Sequence, residues 1–166
     1  MPAIVHVTAE HAADDARVTA RELVTLLEEH SEAWIVARPP RGPLPEGLRF
    51  IESPAYRRAS RFRADWPALD AAVRRTPGPR IVHAHEPETV LAAGRFGWCD
   101  PGHLIYDVHE YHGAMMAHRA RGLRRWLLRR LGDARHAEAC RTAGHVIVVN
   151  EELAEDARRH GATSVH

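Results

Sequence analysis

Apolar residues along this chain gather in short runs, and between the runs they recur at intervals of three and four. Six runs read as strands: "AIVHVT" (3–8), "AWIVAR" (33–38), "LRFIES" (48–53), "RIVHAH" (80–85), "HLIYDVHE" (103–110) and "HVIVVN" (145–150). The intervening stretches carry helical spacing. The first, 14–30, aligns Ala16, Ala20, Leu23, Val24 and Leu27 on one face. The next, 65–76, has Asp65 as its N-cap and Pro67 in its first turn. Helices over 87–96, 119–142 and 151–161 complete the series. "PPRGPLPEG" (39–47) is loop, because proline cannot donate to a ladder. Strand and helix in alternation predict an α/β fold: one doubly wound, mostly parallel Rossmann-like sheet with helices on both faces. Continuous apolar strands such as "VIVV" fit burial on both sides. At 166 residues the chain is expected to form a single domain over 1–166.

In an open parallel sheet, ligands bind beyond the carboxyl ends of the strands. Those ends here are rich in chemistry. His11, Asp14 and Asp15 follow the first strand, His85 and Glu86 the fourth, His109 and Glu110 the fifth, and Asn150 the sixth. The opposite ends ("MPA", "PGPR", "DPGH") are plain turns. A site at the carboxyl edge follows from that asymmetry. His109 is its leading residue, since an imidazole beside carboxylates can act as acid, base or hydrogen-bond donor near neutral pH.

The familiar phosphate-binding patterns are absent. The first loop, "TAEHAAD", has no glycine, which argues against dinucleotide binding, and there is no P-loop and no G-x-S-x-G elbow. His83 and His85 share a strand face, yet no third ligand stands at zinc spacing, so no metal is expected and His83 reads as a core histidine bonded to backbone. A phosphorylated receiver is excluded: Ser53-Pro54 follows the third strand and the chain has no lysine.

Composition adds limits. A net charge of +1, with 45% hydrophobic and 27% charged residues, is that of an ordinary globular protein and gives no argument for nucleic acid. Cys99 and Cys140 stand apart, without C-x-x-C spacing. No leader and no run of ~20 apolar residues is present, which points to the cytoplasm. The helix "RARGLRRWLLRRLGDAR" has arginines around Leu123, Trp126, Leu127 and Leu131. As the crossover between two strands it is expected to pack its leucines on the sheet; the alternative for a basic amphipathic helix is weak contact with an anionic membrane surface.

Four segments together, "HVTAEHAADDARVTAREL", "IVHAHEPETVLAA", "LIYDVHEYH" and "HVIVVNEELAEDARRHGATSVH", resemble the N-terminal half of family-4 glycosyltransferases. The likeness is nearest to members with an H-x-x-D-D-x-R pattern, here His11, Asp14, Asp15 and Arg17, and a strand ending in H-x-H-[ED]-P, here His83, His85, Glu86 and Pro87. The resemblance implies the GT-B fold, two Rossmann-like domains facing across a cleft. It implies that this domain binds the acceptor and that a C-terminal domain, with an E-x(7)-E motif, binds a nucleotide-sugar donor. Transfer would retain anomeric configuration without a metal or other cofactor. His109 would be the catalytic-cleft histidine beside the donor sugar. His85 and Glu86 would lie near that sugar, and His11, Asp14, Asp15 and Glu110 would join the substrate-binding edge.

The family's first loop is often Gly-Gly; "EHAAD" departs from it. The chain stops at "GATSVH", short of any E-x(7)-E domain, so the expectation is half an enzyme, inactive alone. An alternative is a non-catalytic Rossmann-like module that docks a partner or self-associates through its cleft face. Donor and acceptor identities are not encoded here; Tyr56, Arg57, Arg58, Arg61 and Arg63 form no diagnostic pattern.

Overall fold

A computed structural model describes residues 2–15, 22–30, 32–53 and 66–166. The strands are β1 (Ala3–Ala12), β2 (Ala33–Arg38), β3 (Leu48–Glu52), β4 (Arg80–Ala84), β5 (Leu104–Val108) and β6 (His145–Val148). The helices are α1 (Val24–Glu29), α2 (Trp66–Val73), α3 (Pro87–Phe96), α4 (His112–Ala117), α5 (Gly122–Thr142) and α6 (Glu151–Arg159). The sheet has the order β3-β2-β1-β4-β5-β6, and every pairing is parallel. From the β1/β4 junction the chain winds outward in opposite directions. That junction is the topological switch point, where such sheets open a crevice for ligands. Residues 164–166 continue the sheet beside β6, with Val146 N–H donating to Ser164 and His166 N–H to Val146.

Side chains alternate between the sheet faces, and the two faces differ. Val5, Val7, Val82, Ala84, Leu104, Tyr106 and Val146 join residues of α2, α3, α5 and α6 in the main apolar core. On the other face a small apolar cluster, Leu23, Ala33, Ile35 and Ala37, lies at β2. The centre of that face is polar: His6 and Thr8 of β1, His83 of β4 and Asp107 of β5 are all buried. The strand pattern is therefore continuous in hydrophobicity on one side only.

Most predicted elements recur within two or three residues of their expected bounds, and the 87–96 helix recurs without change. α3 begins at Pro87, whose missing N–H costs nothing in a first turn, and ends on Gly97 in the left-handed region (φ 62°). Within the predicted 14–30 helix, the described residues are π-helical at 22–23 and α-helical over Val24–Glu29. The Asp65 cap, Ala16, Arg17, Ala20, Tyr56 and the arginines of 57–63 lie outside them.

α5 corrects one expectation. Its leucines do not pack on the sheet: Leu123 is 73% exposed, Trp126 53%, Leu127 52% and Leu131 38%. Gly132, His136, Ala139 and Cys140 are the buried contacts instead. The cause is length. Twenty-one residues of helix run ~32 Å, whereas the five residues of β5 cover only ~17 Å. The C-terminal end of α5 sits by the amino end of β5, where Gly144 N–H donates to Leu104. Near its middle Gly132 abuts Gly113 in α4, just past the carboxyl end of β5. Residues before Gly132 therefore overhang the carboxyl edge.

Candidate functional site

Pairing in register places His6 opposite His83, and His83 opposite Ile105, so three neighbouring strands point His6, His83, His85, Asp107 and His109 to the same side. The imidazoles form a stack. Ring centroids are 4.4 Å apart for His6–His83, 4.8 Å for His83–His85 and 6.0 Å for His85–His109. Asp107 is the hub of this group. One oxygen, Oδ2, lies 2.9 Å from His109 Nε2, 3.2 Å from His85 Nδ1 and 3.5 Å from His83 Nε2. Glu22, in the turn leading into α1, closes the cluster from above; its Oε2 is 3.6 Å from His6 Nδ1 and 3.8 Å from His85 Nε2. His6 and His85 share a hydrogen bond of 3.2 Å, so a polar chain runs His6–His85–Asp107–His109 from the sheet interior to the edge.

Burial and charge set the protonation states. Burial alone would raise Asp107, but the imidazoles of His109, His83 and His85 hold it far below the usual carboxylate range. Burial pushes His85 down to about 4, against the pull of Asp107. His6 is also lowered well below its ordinary value, by burial and then by His83 and His85. The buried imidazoles and the Asp107 carboxyl group orient His109, the most exposed imidazole of the stack. His109 has a side chain 19% exposed, and its Nε2 is turned to Asp107, as a donor to a carboxylate would be. Neutral His109 in that tautomer carries its lone pair on Nδ1.

Glu86 occupies the switch point and acts as a clasp. Its carboxylate accepts from the Thr8 hydroxyl, from the Ala9 amide (3.1 Å) and from the Glu10 amide (3.2 Å). Its own backbone N–H donates to Thr89 Oγ1 at 3.2 Å, which fixes the start of α3. Burial raises the Glu86 carboxyl, offset in part by Thr8 and His11. The segment without glycine expected as a loop continues β1 to Ala12, and its irregular stretch past Val7 is held by the Glu86 side chain reaching across from the start of α3.

The other predicted residues divide. His11 reaches the cluster's rim, with Nε2 3.9 Å from Glu86 Oε1 and Nδ1 3.0 Å from Asp15 Oδ2. Asp14 turns away: its carboxylate accepts from the amides of Arg41 and Gly42. Asn150 N-caps α6 through Leu153 N–H, at 2.9 Å. Glu110 is exposed and lines a shallow cleft of about 40 Å³ together with His85, Glu86 and His109. Small-ligand sites usually enclose ~300–1,000 Å³, so this cleft is far smaller than an enclosed small-ligand site.

Sequence reasoning gave no role to Asp107, His6 or Glu22. Asp107 and His6 left a signal, a charged or imidazole residue at every second position of otherwise apolar strands. Glu22 left none, because its reach depends on the turn before α1. His83 does not bond backbone as expected; its Nε2 faces Asp107 and Glu22 without a hydrogen bond. Donor atoms of Glu22, His85, Asp107 and His109 lie within 4.8 Å of one another, as do those of His6, Glu22 and His83, so either group could hold a cation. Spacing along the chain could not reveal this, because separate strands supply the atoms.

In comparison with known families, the model described as Glycosyltransferase Family 4 matches residues 16–166. No curated protein matches the chain.

Proposed function

The chain belongs to glycosyltransferase family 4, and on that premise we propose that it forms the acceptor-side wall of a retaining glycosyltransferase that uses a nucleotide-sugar donor. The observation that carries this reading is His109. It stands at the carboxyl edge beside the switch point, held at 2.9 Å by the buried carboxyl group of Asp107. A histidine fixed in this way offers a directed hydrogen-bonding atom at the rim and excludes rotation of the ring. Toward a sugar that develops oxocarbenium character as its diphosphate departs, such a group stabilises charge without forming a covalent bond.

In this reading His109 contacts the donor sugar, and His85 and Asp107 position it. Glu86 and His11 shape the end of β1 against which donor and acceptor meet, and Glu110 lies at the open rim. Transfer needs an opposing donor-binding domain, because a 40 Å³ hollow cannot surround a sugar nucleotide. The chain alone therefore binds sugar nucleotides weakly and transfers nothing. In this reading transfer uses hydrogen bonds and charge from these side chains, without a metal or other cofactor.

The test is His109→Ala in a protein carrying both domains, assayed for sugar transfer. Turnover should fall about a hundredfold or more, with the fold unchanged by circular dichroism. Unchanged turnover would remove His109 from the site. Tight calorimetric binding of a sugar nucleotide by the present chain would overturn the one-wall reading.

A further inference from the structure

We infer that the overhanging half of α5 is a docking surface for a lipid bilayer bearing anionic headgroups. Among the described residues nothing covers this face. Leu123, Trp126, Leu127 and Leu131 recur at helical spacing and are between 38% and 73% exposed. They point away from Gly132, His136, Ala139 and Cys140, which anchor the same helix to the fold. An isolated exposed leucine is ordinary; a contiguous stripe that includes a half-exposed tryptophan marks a surface with a partner.

The charges around the stripe select that partner. Arg119, Arg121, Arg124, Arg125, Arg129 and Arg130 lie within twelve residues, and no carboxylate occurs between Glu110 and Asp133. The Arg130 guanidinium lies over the Trp126 ring at 5.2 Å, so a cation borders the apolar stripe directly. A second copy of the chain would bring Arg124 and Arg130, which flank the stripe on the helix, against their own kind, with no carboxylate between Glu110 and Asp133 to separate them. A bilayer with anionic headgroups meets both requirements: acyl chains accept the leucines and the indole, and phosphates accept the guanidiniums. Among the described residues no helix is long and apolar enough to cross a membrane, so the contact is one of surface attachment. This inference stands on α5 and not on the reading of His109.

Vesicle co-sedimentation tests it, using the chain with vesicles of phosphatidylcholine alone and of phosphatidylcholine mixed with phosphatidylglycerol. Binding should require phosphatidylglycerol and weaken as salt is raised. The combined variant Leu123→Ser, Trp126→Ser, Leu127→Ser should lose binding at least tenfold with an unchanged circular-dichroism spectrum, since none of the three is part of the core. Arg124→Gln with Arg130→Gln should lose about fivefold for each arginine removed. Absence of binding to the mixed vesicles overturns the inference. So does equal binding to both vesicle types, or a serine variant that binds as before. A chain that is dimeric in solution and becomes monomeric on the same serine substitutions would assign the stripe to self-association and overturn it as well.

Discussion

Replacing Glu86 by alanine should weaken the fold by about 2–4 kcal/mol, and the number can be built from the clasp. Truncation strands the Thr8 hydroxyl, which is fully buried, and the Ala9 amide, which is 3% exposed. Each unsatisfied buried donor costs about 1–3 kcal/mol. The Glu10 amide is only partly buried and can turn to water, so it adds little. Against this, burial raises the Glu86 carboxyl, and alanine relieves the cost of ionising it. The balance is the lower half of the summed range. For a domain of this size each kcal/mol moves Tm by about 2–4 °C, so a loss of roughly 5–15 °C is expected. Urea unfolding followed by tryptophan fluorescence should show a lower midpoint at constant slope. Glu86→Gln should cost less, about 1–2 kcal/mol, because one amide oxygen still accepts while the NH2 opposes a donor. An alanine variant within 0.5 kcal/mol of the parent would refute the clasp, since surface-like tolerance is incompatible with stranded buried donors.

Acid should destabilise the fold well above the carboxylate range. His85 and His136 are both lowered from 6.5 to about 4 by burial; the unfolded chain takes up these protons first, so their stabilisation is complete above pH ~6.5 and is lost as pH falls toward 4, at up to about 1.4 kcal/mol per pH unit for each. Urea midpoints at stepped pH would read this, and a flat profile from pH 6.5 to 4.5 would contradict it. Gly132→Ala should destabilise even though alanine is the better helix former by about 1 kcal/mol. A Cβ there would lie 2.6 Å from the Gly113 Cα, so thermal melting should show a net loss of about 1–3 kcal/mol as α4 is pushed from α5.

Much of the fold was legible because alternation of short apolar runs with helical spacing has few solutions. The strand ends then located the edge that carries His85, Glu86 and His109. What stayed hidden depends on register and length. Asp107 reads as a strand residue until β4 and β5 are aligned and three imidazoles fall around one oxygen. That Glu86 also holds Thr8, Ala9 and Glu10 in place shows only once β1 and the start of α3 are brought together. Asp14 and Asn150 stand in the right places along the chain, but the Asp14 carboxylate ties down the distant 41–42 loop and Asn150 caps α6. The leucines of α5 carry the period of a packed helix, and nothing local reports that the helix outruns its strand.

The close seat of Gly132 on Gly113 gives α5 a fixed phase as well as a fixed position. The buried half of the helix sets the rotation of the overhanging half, 100° for every residue. One residue inserted ahead of Gly132 would swing the leucine stripe onto the helix flank and bring arginines to the front, leaving the core contacts beyond it untouched. The direction in which the overhang faces is thus set by residue count from a two-glycine contact.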